Sequence, residues 1–177
     1  MNLNFYSDHR SFLPGRRSVL YWATLFFLSF VLLLLLSPDS YLADTYALRC
    51  DSAWFFTCGK AWMEGMIPYV DFADSKGPLL WLIYGLGYLL SPVSYHGVFW
   101  LSVVAYMLTL HFVWLTARLF LNPKESAFVL VSMPFFLFLI IYHNEVRAED
   151  FCIPAICGGI YFTCRELIDS PASVGGG

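Results

Sequence analysis

Residues 18–36 read SVLYWATLFFLSFVLLLLL, a run of nineteen residues that carries no charge. A helix of about 20 apolar residues crosses the roughly 30 Å of hydrocarbon in a bilayer, so this run has the length of one span. A cleaved signal peptide is the alternative, but its apolar core is about 7 to 15 residues long and precedes an A-x-A-like site. The following SPDSYLADTY offers no good site of that kind. We therefore predict that residues 18–36 form the first membrane-spanning helix.

The composition of the whole chain is also typical of a membrane protein. Hydrophobic residues make up 59% of the sequence and charged residues only 13%, against roughly 25% charged residues in an ordinary soluble domain. The net charge of −3 and the lack of a basic block give no indication of a nucleic-acid partner. The five cysteines show no metal-ligand spacing, so we predict no metal site and interpret them as packing thiols. Cys50 and Cys58 would lie about 12 Å apart along a helix, beyond disulfide reach.

Further apolar runs predict the remaining spans. Residues 98–116, 128–142 and 151–163 are expected to cross, the last of them being short. Residues 78–90 number only thirteen and lie between Gly77 and a Ser-Pro pair, so we predict an interfacial helix that does not cross. An excess of Lys and Arg marks the cytoplasmic side. This assignment gathers six of the ten basic residues there: Arg10, Arg16, Arg17, Arg118, Lys124 and Arg165.

The predicted fold is therefore all-α, a multi-pass membrane protein with about four spans and one or two interfacial juxtamembrane helices. Residues 1–17 are expected to form a cytoplasmic N-terminal segment, and residues 168–177 a flexible tail. Residues 18–167 form the transmembrane part, in which residues 37–77 are a polar outer loop. The N-terminus is predicted to lie in the cytoplasm, with the chain in the plasma (inner) membrane.

Two segments of the outer loop carry candidate functional residues. CDSAWFFTCGKAWMEG is predicted to be an interfacial helix with an apolar face, and Asp51 lies at its start. Asp51 is either a helix N-cap or a functional carboxylate. The residues of the apolar face are Trp54, Phe55, Cys58 and Trp62. The second segment, GMIPYVDFADSKGPLL, places Asp71, Asp74 and Lys76 just before a helix that begins at Pro78.

A lysine beside a helix N-terminus is suited to bind an anion, because the free amides and the helix dipole both favour negative charge. At a membrane surface we expect that anion to be a lipid phosphate. The alternative is that Lys76 pairs with Asp71 or Asp74, or extends toward the lipid headgroups.

A third charged segment, HNEVRAEDF, returns to the outer face in this topology. Asp150 can cap the helix that follows, and Arg147 can pair with Glu145 or Glu149 as an ordinary surface ion pair. Carboxylates, a lysine and an arginine on one face of a chain that is otherwise nearly free of charge nevertheless suggest a site for polar chemistry at the lipid boundary.

The ordered motifs of the outer loop resemble the GT-C superfamily of membrane glycosyltransferases, which includes protein O-mannosyltransferases and the aminoarabinose lipid A transferase. In those enzymes a first span leads to an acidic motif and then to a G-x-x-P-Y-x-D segment that runs into a lysine or histidine followed by Pro-Leu. The family also has a juxtamembrane helix after this segment and a second acidic segment, which NEVRAED resembles. The matching residues here are Gly65, Pro68, Tyr69, Asp71, Lys76, Gly77, Pro78 and Leu79.

The resemblance implies transfer of a sugar from a polyprenyl-phosphate donor to an acceptor at the outer membrane–water interface. Asp51 is then the expected general base, and Lys76, with the start of the 78–90 helix, is expected to hold the phosphate leaving group. The acceptor is not identified, and participation of a divalent metal stays open. The expected substrate-binding residues are Asp71, Asp74, Lys76, Arg147, Glu149 and Asp150.

The sequence departs from the family at Ser52, where a second acidic residue is common, and at Ser75, where some members have glutamate. Full members are also considerably longer, so we expect the chain to correspond to the N-terminal module of a larger enzyme. The alternative function is a non-catalytic membrane subunit or a module that binds lipid headgroups. A transporter fragment is disfavoured because the predicted spans are nearly free of charge.

Overall fold

The structure, a computed structural model, describes residues 16–37, 40–42, 50–137 and 148–170. This part of the chain is all-helical, without strands, and contains six helices. They are α1 (Arg16–Leu36), α2 (Cys50–Met63), α3 (Pro78–Leu90), α4 (His96–Phe120), α5 (Pro123–Leu137) and α6 (Ala148–Asp169). The all-α prediction is therefore confirmed.

Three of the described helices are long and apolar enough to cross a membrane: α1 through Val19–Leu36, α4 and α6. They coincide with three of the four predicted spans. The other predicted span, 128–142, overlaps α5 as far as Leu137, and residues 138–142 lie outside the described part of the chain. The chain is thus a multi-pass helical membrane protein.

Two predicted boundaries differ from the structure. The helix of the last span begins before the predicted residue 151, because Glu149 and Asp150 already belong to the first turn of α6. The same helix continues through Asp169, two residues into the segment predicted to be a tail, and residues 171–177 lie outside the described residues. Helix α3 has the predicted bounds, and its thirteen residues are fewer than the roughly 20 needed to cross.

Helix α4 is packed on one side against α1. Leu25 and Leu33 of α1 form a buried cluster with four residues of α4, which are Phe99, Val103, Tyr106 and Leu110. A polar contact supplements this packing, since the Tyr21 hydroxyl lies 3.0 Å from His111 Nδ1. Together these contacts join the first span to the longest described helix of the protein.

A second cluster joins α2 and α3 to the start of α4 and of α6. Its buried members are Phe55, Cys58, Leu80, Trp81, Tyr84 and Val98, and Ala148 and Phe151 of α6 pack against it. Glycines allow the closest approach: a Cβ added at Gly59 would lie 2.8 Å from the Trp81 carbonyl oxygen, and one at Gly85 would lie 3.0 Å from the Gly59 oxygen. The packing role predicted for the free Cys58 thiol is confirmed.

Candidate functional site

The first turn of α2 carries the candidate base. Asp51 is the second residue of this helix and therefore lies within its first turn, not at the N-cap position of the alternative interpretation. Its side chain is exposed. A carboxylate in the first turn still complements the positive end of the helix dipole. Trp54 follows three residues later, so on a helix it is a direct neighbour of Asp51.

Trp54 connects this helix to the loop that follows it. Its indole Nε1 donates a 3.0 Å hydrogen bond to Asp74 Oδ2. Of the predicted apolar face of α2, Phe55 and Cys58 are buried against α3, whereas Trp54 is 44% exposed and contacts the loop. The hydrogen bond brings the Asp74 carboxylate to the side of α2 that also carries Asp51.

Asp74 is held by more than one donor. Besides the Trp54 indole, its Oδ1 accepts hydrogen bonds from the backbone N–H of Ser75 and, at 3.1 Å, from the Ser75 hydroxyl. Its charge also affects the neighbouring thiol: burial first, and then the negative charge of Asp74, raise the pKa of Cys58 above its usual value. These hydrogen bonds fix the position of Asp74 in the loop between α2 and α3.

Asp71 shapes the turn that precedes this point. Its Oδ2 accepts a 2.7 Å hydrogen bond from the Ile67 backbone N–H. Inside the turn, Tyr69 has a positive φ of 64° and its N–H donates to the Phe72 carbonyl oxygen at 2.7 Å. The ring of Tyr69 packs on Trp81, with centroids 5.0 Å apart. The structure therefore gives Asp71 a hydrogen bond that closes the turn before Lys76.

Lys76 connects the loop to α6. Its Nζ lies 3.8 Å from Glu149 Oε1, and both side chains are substantially exposed. The alternative interpretation paired Lys76 with Asp71 or Asp74. Among the ion pairs between described residues, its partner is instead Glu149. Gly77 follows as the N-cap of α3, with Pro78 in the first turn and no side-chain hydrogen bond to the cap. A cation thus precedes a helix start to which no side chain of the described residues donates or accepts a capping hydrogen bond.

The second acidic segment begins α6. Glu149 and Asp150 both belong to its first turn, so Asp150 does not occupy the cap position expected for it. The Asp150 side chain is buried, with 1% of its surface exposed, next to Phe151, which packs against the α2–α3 cluster. Arg147, the other candidate of this segment, lies outside the described residues.

The described candidates are connected by direct contacts or short spacing. Asp51 neighbours Trp54, Trp54 binds Asp74, and Lys76, two residues later, contacts Glu149 at the start of α6. Within the described residues, no group of three or more His, Cys, Asp or Glu side chains is arranged to hold a metal ion. The arrangement offers a carboxylate near the start of α2 that can take a proton and, in the loop that Trp54 binds, an ammonium group that can bind an anion.

Two residues of this site were not predicted from the sequence. Trp54 matched the spacing of the apolar face, which concealed its polar function as a hydrogen-bond donor to Asp74. Tyr69 belongs to the Pro-Tyr motif, and its hydroxyl donates to the Lys76 carbonyl oxygen at 3.3 Å, which connects the turn to the lysine. The signal that could have indicated both is that Trp and Tyr carry a polar N–H or O–H that finds a partner when the ring packs.

Comparison of the chain with known protein families, with curated proteins and with solved structures gives no match.

Proposed function

We propose that the protein is a membrane glycosyltransferase that moves a sugar from a polyprenyl-phosphate-linked donor to an acceptor hydroxyl or a similar nucleophile. The observation that supports this most is the hydrogen bond between Trp54 and Asp74. It joins the N-terminal half of α2, where Asp51 lies three residues before Trp54, to the loop that carries Lys76. A proton acceptor and a phosphate-binding cation are the two groups that such a transfer requires.

In the proposed reaction the acceptor oxygen attacks the anomeric carbon of the sugar. The bond between that carbon and the phosphate oxygen breaks, and its electron pair leaves with the lipid phosphate. Asp51 accepts the proton that the acceptor loses as the new bond forms. Lys76, the amides at the start of α3 and Arg147 stabilise the charge that grows on the phosphate. A single displacement of this kind inverts the configuration at the anomeric carbon.

The remaining acidic residues have supporting roles in this proposal. Asp74 fixes the loop against α2, and Asp71 closes the turn before it. Glu149 holds Lys76 when no phosphate is bound, and Asp150 anchors the start of α6 in the protein interior. Contacts of Asp71, Asp74 and Glu149 with the sugar stay part of the proposal, whereas Asp150, with 1% of its surface exposed, acts from the protein interior.

We propose that the site faces the outer side of the plasma membrane and that the N-terminus lies in the cytoplasm. Support comes from the charges at the two ends of α4. Arg118 is in its last turn and Lys124 opens α5, whereas the loop that carries Lys76 leads through α3 to the opposite end, at His96. Because basic residues near span ends favour the cytoplasmic side, the site lies on the other face of the membrane.

The test is transfer of a labelled sugar from polyprenyl phosphate by membranes that contain the full-length gene product. We expect transfer by the wild type and a loss of about 100-fold or more in Asp51→Asn and in Lys76→Ala. Lys60→Ala is the matched control, because Lys60 forms an ion pair of the same 3.8 Å length with Glu64 and has a similar exposure, but lies outside the site.

Each outcome of this assay is informative. Equal transfer by Lys76→Ala and Lys60→Ala would show that the lysine before α3 holds no leaving group. Binding of polyprenyl phosphate without any transfer by the wild type would instead favour a module that binds lipid headgroups.

A further inference from the structure

The turn between α2 and α3 exposes apolar side chains on consecutive residues. Around Pro68, the exposed fractions are 52% for Met66, 58% for Ile67, 54% for Tyr69 and 75% for Val70. We refer to residues 66–70 as the apolar loop. Single exposed apolar residues are ordinary on protein surfaces, but a contiguous group of large ones marks a surface that meets another apolar phase.

The backbone N–H donors of the apolar loop are all satisfied within the protein. Pro68 has no N–H, and each of the other four residues donates its backbone N–H to an acceptor within the protein. The four hydrogen bonds are Met66 N to Ala61 O (3.0 Å), Ile67 N to Asp71 Oδ2 (2.7 Å), Tyr69 N to Phe72 O (2.7 Å) and Val70 N to Ile67 O (3.1 Å). Water would satisfy such donors at no cost, whereas near lipid each unsatisfied donor costs several kcal/mol.

The apolar loop is also held in one conformation. Tyr69 adopts a positive φ of 64°, which is uncommon for a residue other than glycine. Two contacts hold it there: its ring packs on the buried Trp81, and its hydroxyl donates to the carbonyl oxygen of Lys76. Insertion of this loop into another phase therefore needs little further ordering.

We propose that the apolar loop inserts into the headgroup–acyl boundary of the bilayer. The adjoining helix α3 supports a lipid partner, because leucines at helical spacing are exposed on it while Leu80, Trp81 and Tyr84 on the other side are buried. These exposed leucines are Leu79, Leu82, Leu86 and Leu89. Three helices of the same chain are long and apolar enough to cross a membrane, so a bilayer is the apolar phase available to both the loop and these leucines.

The depth of insertion follows from the backbone. Irregular backbone exposed to lipid does not occur in the hydrocarbon core, so the loop reaches only the boundary, about 5–10 Å deep. Because Tyr69 contacts Lys76, insertion also fixes the height of this lysine at the level of the lipid headgroups. The inference does not depend on the proposed function, since it concerns only the position of the loop in the membrane.

The test is a depth measurement on the full chain in vesicles of phosphatidylcholine and phosphatidylglycerol. A non-canonical amino acid with a ketone is placed at position 70 and coupled to a nitroxide spin label, because the five native cysteines exclude thiol labelling. Collisions with oxygen report lipid, and collisions with a water-soluble nickel complex report water. The references are position 156, exposed on the span α6, and position 124, exposed at the start of α5.

We expect the ratio of oxygen to nickel collisions at position 70 to be several-fold higher than at position 124 and to approach that at position 156. A ratio equal to that at position 124 would place the loop in water, and protection from both reagents would show that another protein segment covers it. Either result would overturn the proposal. If labelling at position 70 prevents folding, the same comparison at position 67 decides the question, because Ile67 is 58% exposed.

Discussion

Lys76 Nζ lies 3.8 Å from Glu149 Oε1, and this contact joins the loop after α2 to the first turn of α6. Lys76 belongs to the loop segment and Glu149 to the segment HNEVRAEDF, which the topology predicted from the sequence puts on the same face of the membrane. Both side chains are exposed, at 41% and 62%, so the pair contributes at most about 1 kcal/mol. A lysine held this weakly is available to a phosphate that arrives at the start of α3.

The first prediction follows from competition for Lys76. Replacing Glu149 by glutamine removes the carboxylate that competes with a phosphate for the ammonium group. We expect the KM for the polyprenyl-phosphate donor to fall by up to about fivefold, because the competing pair is worth at most about 1 kcal/mol. Asp169→Asn is the control, since Asp169 pairs with Arg165 at the other end of α6. A rise in KM would show instead that Glu149 itself binds the donor.

The second prediction concerns the packing of α2 on α3. Gly59→Ala adds a Cβ within 2.8 Å of the Trp81 carbonyl oxygen and the Tyr84 carbonyl carbon, and these backbone atoms cannot rotate away. We expect the free energy of unfolding to fall by about 1–3 kcal/mol, measured by denaturation in detergent. Gly159→Ala is the matched helical control, because no atom of the described residues lies within 4 Å of its added Cβ. Equal stabilities of the two variants would contradict the close contact.

The third prediction uses the raised pKa of Cys58. Burial disfavours the thiolate first, and the negative charge of Asp74 disfavours it further, so both raise the pKa. Only the thiolate reacts with alkylating reagents, so Cys58 should react more slowly at a given pH than an ordinary thiol. Asp74→Asn removes the charge, which should lower the pKa and move the pH profile of alkylation to lower pH.

The control for this measurement is Trp54→Phe, which breaks the hydrogen bond to Asp74 but retains its charge. Mass spectrometry of the peptide that contains Cys58 gives the alkylation rate of each protein. If Trp54→Phe and Asp74→Asn accelerate alkylation equally, the effect comes from opening of the α2–α3 contact and not from the charge.

The sequence alone was sufficient for three of the four predicted spans, because hydrophobicity over about 20 residues decides whether a helix crosses lipid. The unbroken run at 18–36 corresponds to α1, and the short run at 78–90 to α3. Local spacing also placed Lys76 immediately before a helix start, since Pro78 favours the first helical position. These features depend on neighbouring residues and can be recognised without a structure.

The partners of the charged residues depend on tertiary packing. Lys76 has carboxylates two and five positions before it, yet its ion pair is with Glu149, because α6 packs against the α2–α3 cluster. Trp54 has the spacing of an apolar face, yet it is partly exposed. The side of α2 that is buried carries Phe55 and Cys58, where Gly59 lets α3 approach closely. No pattern within α2 distinguishes these alternatives.

The most direct test of the proposed reaction is the turnover of Asp51→Asn with saturating donor, measured together with the binding of polyprenyl phosphate. The substitution retains the size of the side chain and removes its ability to accept the proton. We predict that binding is unchanged and that turnover falls by about 100-fold or more. Turnover within a few-fold of the wild type would contradict this account, because Asp51 would then serve only to stabilise the start of α2.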